Sequence, residues 1–428
     1  MDSARADALA AAHRLATQGW IPRHAEAFRH LPPPAAEVWL GGAAGAQHAP
    51  GCEAHPLAGA GWTLHPIGHS PQGRVDARWL DAADPEQRAE LFAGLPPPSG
   101  AGEADEAGDA APFAWAHRAL CRQGLRLRIG GTPGAERGAS DTVWLQLRHQ
   151  PRSTVEAPLL VLEVLAGVQC VLVETHDRQP LACQQPIVQN LQVHLRLGEG
   201  ATLRHLRVAT PGCTDRIAHH QHTVLARGAR YEQALLASGA AYHLQHHAIE
   251  MPAEQAEARS AALLLAADSV LDQQVRIAHA AARTTSAFEG LALASGAARA
   301  VLNAHTRIAP HAAQAQVRQR LTGIPTGGQP RLVLRPHLEI HHDQVQAAHG
   351  ATWGALPEDA LFYARQRGLD ERSARGLIVE GLAGASLQRC FSDEGLIDAL
   401  ELPALLRDAL ARHLAADDPA AAQDGRHG

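Results

Sequence analysis

The feature that most constrains the fold is a succession of short strand-like runs between about Leu125 and Ile340. The runs alternate with small turn residues, which is typical of β-structure. They read LRLRI, VWLQLR, LLVLEV, CVLVET, LQVHLRL, TLRHLRV and RLVLR. Between them a leucine leads into a glycine turn in LGEGA (197–201), LARGA (225–229) and LASGA (236–240 and 293–297). Strand therefore follows strand with little helix between.

The spacing of these turns indicates a repeating unit. The intervals from Gly200 to Gly228 and from Asp268 to Gly296 are both 28 residues, with Asp268 taking the place of a turn glycine. This period favours the coils of a β-solenoid, while a sandwich stays possible on the pattern alone. In a solenoid each coil buries its inner face on its neighbours, so the terminal edge must be capped or paired with another chain. The architecture predicts a partner.

Composition shifts divide the chain into three predicted domains. Residues 1–112 form an N-terminal domain that ends in a Pro/Gly-rich, acidic linker (94–112), residues 113–352 the β-core, and residues 353–428 a helical domain with a disordered tail. In the last domain PEDALFYARQR has acidic residues in its first turn and stops at Gly368. A second helix is expected to present Leu377 on its apolar face.

The 428 residues suffice for a sizeable core, and composition excludes several classes of function. A net charge of -6 with mixed signs offers no basic stripe for nucleic acid or lipid. Neither a membrane span nor a signal peptide is expected, which predicts a cytoplasmic protein. The six cysteines are far apart, so neither a disulfide framework nor a self-contained metal motif is indicated.

The chain contains arginine but no lysine, which matters for nucleotide chemistry. A phosphate-binding loop of the G-x-x-x-x-G-K-[ST] type needs its lysine, so this chain has no such loop. Any nucleotide used in its pathway must be bound by another chain.

Enzyme signatures are nearly absent, but three histidine clusters stand out. His220 and His222 would share one face of a strand and could bind a metal, which would make the chain a His-rich metal-binding module. A β-solenoid enzyme acting on polysaccharide would need paired carboxylates, for which Glu163 and Glu174 are the candidates. The clusters are His219, His220 and His222; His243, His246 and His247; and His337, His341 and His342 with Asp343.

The segment from Leu334 to Leu369 carries the most specific pattern in the chain, LRPHLEIHHDQVQAAHGATWGALPEDALFYARQRGL. It resembles the signature of the SufB/SufD family of iron-sulfur cluster assembly proteins. In that family a P-x-LEI strand, an acidic turn and a valine precede S-H-G-A-T-x-G and a helix reading LFYxxSRG. The matching residues are Pro336, Leu338, Glu339, Ile340, Asp343, Val345, His349, Gly350, Ala351, Thr352, Gly354, Leu361, Phe362, Tyr363, Arg367 and Gly368. The resemblance covers most of the chain and is strongest from Ile277 to Leu382.

The sequence also departs from the family pattern. Ala348 and Gln366 replace its two serines, and Ala347 stands where the family often has a cysteine. This chain therefore supplies no thiolate at that position. Its length, short N-terminal domain and lack of cysteine motifs fit the SufD branch better than the SufB branch.

The resemblance implies a right-handed parallel β-helix between an N-terminal mixed or helical domain and a C-terminal helical domain. It further implies a non-catalytic scaffold subunit of a SufBCD complex, paired with a SufB-type subunit and SufC-type ATPases. His349 corresponds to a histidine that faces the partner's cysteine, where a transient iron-sulfur cluster is assembled, and neutral imidazole can ligate iron beside thiolates. A simple hydrogen-bonding role for His349 in a tight turn is the alternative.

By the same resemblance the start of the C-terminal helices would contact the ATPase, although these helices could also simply cap the β-helix. The candidate docking residues are Leu361, Phe362, Arg367 and Gly368. Whether a flavin associates with the complex, and whether the chain forms homodimers, is left open by the sequence.

Overall fold

The computed structural model describes residues 2–41, 61–67, 74–96, 98, 111–130, 142–178, 185–391 and 394–416. Most of the predicted linker (94–112) and the predicted disordered tail lie outside these residues. Within the described residues, no helix is long and apolar enough to cross a membrane.

The order of elements confirms a mainly β protein with helices at both termini. The helices are α1 (Ser3–Gln18), α2 (Ala36–Trp39), α3 (Pro85–Leu91), α4 (Ala111–Leu120), α5 (Glu358–Gln366), α6 (Glu371–Gln388), α7 (Glu394–Ala399) and α8 (Leu402–Ala416), with one 3-10 turn at Glu26–Phe28. The first strands are β1 (Trp62–Pro66), β2 (Val75–Asp81), β3 (Gln123–Ile129), β4 (Val143–His149), β5 (Val155–Glu156), β6 (Leu159–Val164), β7 (Gln169–Asp177), β8 (Val188–Leu197), β9 (Thr202–Thr210) and β10 (Arg216–Leu225). The remaining strands are β11 (Arg230–Ser238), β12 (Tyr242–Met251), β13 (Glu257–Ala267), β14 (Val270–His279), β15 (Thr285–Ser295), β16 (Arg299–Ile308), β17 (Gln316–Pro325), β18 (Arg331–Ile340) and β19 (Gln346–Trp353).

From β6 onward successive strands alternate between two sheets, which confirms the β-solenoid and rules out the sandwich that the pattern left open. The first sheet has the order β1-β4-β7-β9-β11-β13-β15-β17-β19, and the second β18-β16-β14-β12-β10-β8-β6-β3-β2, with β5 paired to β8. Each coil thus adds one strand to each sheet, parallel to the strand before it. In register, Glu257 pairs with Thr285, which lies 28 residues later.

The corners between the sheets require a left-handed backbone, which explains the recurring turn glycines. Gly200 and Gly228 both have φ near +63°, and the Gly200 N–H donates to the Arg227 carbonyl of the next coil. At another corner Asp268 adopts φ +45° directly below Gly296 at φ +64°. Asp268 Oδ1 accepts a hydrogen bond from the Ala297 N–H, a local bond that helps a non-glycine residue tolerate this conformation.

Alternation along each strand separates an inner core from two outer faces. The inner core runs through the coils, with Leu145, Leu203, Tyr231 and Leu264 among its members. The outer face of the first sheet packs on the C-terminal helices, since Leu236 shares a cluster with residues of α6 and α8. The outer face of the second sheet packs on the N-terminal helices.

The two ends of the solenoid differ. At the N-terminal end, β1 and β2 add antiparallel strands to the two sheets. At the C-terminal end, β18 and β19 are the last strands, and no further strand within the described residues pairs with their outer edges. This end therefore presents unpaired backbone groups and the side chains of the final inner layer.

Candidate functional site

The open C-terminal end of the solenoid, formed by β18 and β19, is the candidate site. No residue of either strand is fully buried, whereas earlier coils have mostly buried strands. The register places one histidine and a set of apolar residues in the inner rows of this final layer. They are Leu332, Leu334, Pro336, Leu338 and Ile340 on β18 and Ala347, His349, Ala351 and Trp353 on β19. An inner face that would be core in any other coil has no covering coil within the part of the chain that the structure describes.

His349 is an exposed residue in the middle of this surface. It pairs in register with Gln319, which pairs in turn with Phe288 of the inner core. Because side chains alternate along a strand, His349 stands in the same inner row, at its open end. The structure thus places the predicted ligand at the terminal edge of the solenoid.

Gln319 forms the layer directly beneath His349 and is buried. Its Nε2 donates to Thr306 Oγ1 at 2.7 Å and to the His337 carbonyl at 3.3 Å. Its Oε1 is buried and has no hydrogen-bond partner among the described residues. A buried acceptor without a hydrogen bond costs free energy of folding. Binding of a partner that brings a hydrogen-bond donor to this end would therefore be favoured.

None of the described cysteines lies on β18 or β19. Cys121 follows α4, Cys170 lies on β7, Cys213 is exposed in the turn before β10, and Cys390 follows α6. Burial raises the pKa of Cys390 well above its ordinary value, which keeps its thiol protonated. His349 therefore has no thiolate of β18 or β19 beside it.

The four residues predicted to dock an ATPase fall on and just after α5, and they divide by exposure. Leu361 packs partly against the cluster formed by the first sheet and the C-terminal helices. Phe362 is 65% exposed, Arg367 is exposed with its guanidinium 4.2 Å above the Tyr363 ring, and Gly368 ends the helix at φ +89°. Tyr363, which the sequence analysis named as a motif residue but not as a docking residue, is also exposed.

The second C-terminal helix also differs from its predicted face. Leu377 was expected on the apolar face of α6, but it is 57% exposed. The buried face contains Val379, Ala383 and Leu387 instead. Apolar side chains of α5 and α6 therefore remain uncovered, next in the chain to the open end.

The histidine clusters are split by strand alternation. On β10, His219 points into the solenoid, where its ring nitrogens contact Gln189 and Gln245. His220 and His222 share one face of the strand, as predicted, and this is the outer face, where His220 contacts Phe113 and His222 contacts Glu250. No group of three His, Cys, Asp or Glu side chains suited to hold a metal occurs among the described residues.

The interior of the solenoid contains an ionic network that sequence reasoning missed. Glu174 is fully buried and contacts Arg207, His176 and His205, with the Arg207 Nε at 3.2 Å and the His205 Nε2 at 2.9 Å. Burial alone would raise the pKa of Glu174, but the Arg207 guanidinium and the hydrogen bonds from His176 and His205 hold that pKa well below its usual range. Glu174 is therefore ionised and structural.

This placement separates the two carboxylates of the polysaccharide-enzyme alternative. Glu174 is interior on the first sheet, whereas Glu163 lies on the second sheet, half-exposed beside Arg128. Glycoside hydrolysis needs two carboxyl groups on either side of one bond in one cleft. This pair cannot serve that role.

Comparison with known proteins connects this geometry to a family. Residues 147–382 match the profile of the SufBD core domain of the SUF system for FeS cluster assembly. The match covers the solenoid from β4 onward, the open end, α5 and most of α6. An iron-sulfur cluster assembly SufBD family protein of Synechocystis is 27% identical over 250 residues, which cover 56% of this chain and 54% of the relative.

Two further relatives are similar over shorter stretches. The iron-sulfur cluster assembly protein SufD of Escherichia coli is 26% identical over 205 residues, covering 47% of this chain and 48% of that protein. The chloroplastic protein ABCI7 of Arabidopsis thaliana is 27% identical over 97 residues, covering 23% of this chain and 20% of its own length. The matches to the first two relatives span about half of their length. Since the family profile matches more than half of the chain, and the fold is the expected solenoid, the chain belongs to the SufBD family of iron-sulfur cluster assembly proteins.

Proposed function

We propose that this chain is a non-catalytic scaffold subunit of a Suf assembly complex and pairs with a SufB-type subunit through its open end. The observation that carries the proposal is the exposed His349 on an unpaired terminal strand, surrounded by inner-row apolar side chains. Stacked coils are stable only when their end layers are covered. A sister solenoid would supply the missing strand edges and apolar contacts.

At this interface the cluster is cargo that is built and passed on. The His349 imidazole offers a nitrogen lone pair to iron, and thiolates from the partner would supply the remaining ligands. This division of ligands fits the alanine at position 347, where the family often has cysteine. The assignment to the SufD branch is part of the proposal and rests on this missing thiol together with the similarity to SufD of Escherichia coli.

Energy for assembly would come from SufC-type ATPases bound at α5 and α6. The chain has no lysine and hence no phosphate-binding loop of the lysine-containing type, so nucleotide would be hydrolysed by those subunits. The exposed Phe362 and Leu377 offer the apolar contact that a docking subunit needs. The proposal includes the three-domain division at 1–112, 113–352 and 353–428 and a cytoplasmic location.

The test exchanges His349 in a host whose own copy of the gene has been deleted. Cells complemented with His349→Ala are expected to lose most of their iron-sulfur enzyme activity, while the tagged chain still recovers its scaffold partner and ATPase. His311→Ala is the matched control, because His311 is also exposed, in the turn before β17. Normal iron-sulfur enzyme activity with His349→Ala in an intact complex would refute the ligand role.

A further inference from the structure

A cavity lies on the outer face of the second sheet, away from the open end. It measures about 460 Å3 and is bounded on one side by residues of α4 and the segment after α3. Phe92, Leu95 and Ala114 contribute an apolar wall, and the sheet contributes a polar floor. This volume is within the range of sites that hold small organic molecules, roughly 300–1,000 Å3.

The floor is built by one outward row of the sheet. The register aligns His194, His222, Ala248 and Arg276 on four successive strands. Ala248 has only a methyl group between the longer His222 and Arg276 side chains, which leaves room above the sheet. The small residue thus opens the cavity at the place where the polar groups converge.

Three polar atoms of the floor lack hydrogen-bond partners among the described residues: His194 Nδ1, His220 Nε2 and Arg276 Nη1. His220 is only 6% exposed and lines the cavity from the adjacent outward row. Buried polar groups normally form hydrogen bonds, and a buried donor or acceptor that forms none costs about 1–3 kcal/mol. These atoms therefore indicate a ligand that brings hydrogen-bonding groups into the cavity.

The charged groups of the floor indicate whether that ligand is an anion or a cation. Arg276 is a cation, and the nearby carboxylate of Glu250 is engaged by His222 at 2.9 Å. Burial lowers the pKa of His194 and of His246 to about 3, so these rings are neutral and each carries one N–H. A guanidinium beside neutral N–H donors favours an oxyanion and disfavours a metal cation.

We propose that this cavity binds a small organic anion, with its phosphate, carboxylate or sulfonate at Arg276 and His220 and its apolar body against Phe92 and Leu95. Charge-assisted bonds to Arg276 would fix the orientation, and the apolar wall would exclude inorganic ions as good occupants. The site is independent of the open end and of His349, because its residues lie on the outer face of earlier coils.

The test uses the full chain and two probes of similar shape. 1-Anilinonaphthalene-8-sulfonate carries a sulfonate on an aromatic body, and N-phenyl-1-naphthylamine has the same body without charge. In fluorescence titrations, Arg276→Gln is expected to weaken binding of the sulfonate at least fivefold and to leave the neutral probe unchanged. Ala248→Leu fills the cavity and is expected to weaken both probes at least fivefold.

Two further variants exclude other sites on the chain. Arg299→Gln removes an exposed arginine at the start of β16, and Trp353→Ser removes an exposed ring at the open end. Neither is expected to change the affinity of the sulfonate at the cavity. The proposal is overturned if the wild-type chain does not bind the sulfonate, if Ala248→Leu weakens it less than fivefold, or if only Trp353→Ser abolishes binding. Should Arg276→Gln fail to fold, as judged by circular dichroism, the Ala248→Leu result decides.

Discussion

His349 stands one strand beyond Gln319 in the same inner row, and the buried Oε1 of Gln319 has no hydrogen-bond partner among the described residues. The last layer of the solenoid is therefore unfinished in two respects, since it lacks both a polar partner and an apolar cover. A polar imidazole at the end of a row that elsewhere fills the core is suited to an interface.

A charge placed in the inner row of the open end should prevent pairing with the scaffold partner. Ala351 lies in that row on β19 and is exposed, so Ala351→Arg is expected to leave the fold intact and weaken association at least tenfold. Ala348→Arg is the control, because Ala348 is exposed on the opposite face of the same strand. Affinity measured by sedimentation with the partner subunit distinguishes them, and equal effects of the two variants would contradict the inner-row interface.

An acidic substitution on α5 should abolish ATPase docking. Phe362→Asp replaces an exposed ring with a charge, and a loss of tenfold or more in affinity for the ATPase is expected. Leu9→Asp provides the matched control on α1, where Leu9 is 49% exposed. Surface plasmon resonance with the purified ATPase gives both affinities, and unaltered binding by the Phe362 variant would place the docking surface elsewhere.

Breaking the interior ionic network should destabilise the solenoid. Glu174→Gln leaves Arg207 buried without its counter-ion, and we expect a loss of about 3–5 kcal/mol in the free energy of unfolding. Glu163→Gln removes a half-exposed partner of Arg128 and should cost about 0–1 kcal/mol. Urea unfolding followed by circular dichroism measures both, and similar midpoints for the two variants would contradict the assigned role of Glu174.

Acidification below neutrality should weaken the fold. Burial lowers the pKa of His117 and of His243 to about 4, below the value near 6.5 expected in the unfolded chain. Between these values the unfolded chain binds more protons, so stability is present above about pH 6.5 and is lost as the pH falls toward 4. Glu156 and Asp272 act in the opposite sense, because burial raises the pKa of each carboxyl to about 7.

The buried histidines outnumber these two carboxyls, so the net effect is destabilisation by acid. The histidines whose pKa burial lowers are His30, His117, His176, His194, His219, His220, His243, His246, His247, His279 and His413. Urea midpoints at several values between pH 8 and pH 4.5 measure the slope, which His243→Gln should reduce. A midpoint that rises on acidification would show that the carboxyls dominate.

Replacing the corner glycine Gly296 by alanine should lower the free energy of unfolding, whereas the same replacement at a helix glycine should not. Gly296 has φ +64°, and an added Cβ would meet the Asp268 carboxylate, so Gly296→Ala is expected to destabilise by about 1–2 kcal/mol or more. Gly381→Ala is the contrast, since Gly381 lies within α6 with open space around it and should gain about 0.5–1 kcal/mol. Thermal unfolding of both variants measures the difference, and equal melting temperatures would argue against strain at the corner.

The sequence by itself determined the strands and their corners, because local chemistry sets strand alternation and turn conformation, and its repeat spacing favoured a solenoid over a sandwich. Gly228 and Asp268 stand at positive φ in corners that the 28-residue spacing indicated. The sequence also predicted an open end, because the last coil of a solenoid has no further coil to cover it. The motif around His349 pointed to the family without any structure.

Only the tertiary structure decided which side chains meet. The sequence contained the Glu174 network, the buried Gln319 and the outer cavity, but most of their members come from different strands that only the stacking of the coils brings together. Periodicity also could not tell that α6 leaves Leu377 exposed, because helix faces are selected by what packs against them. Side-chain alternation along a strand puts His219 and His220 on opposite faces. Which of the two faces is interior depends on how all the coils stack.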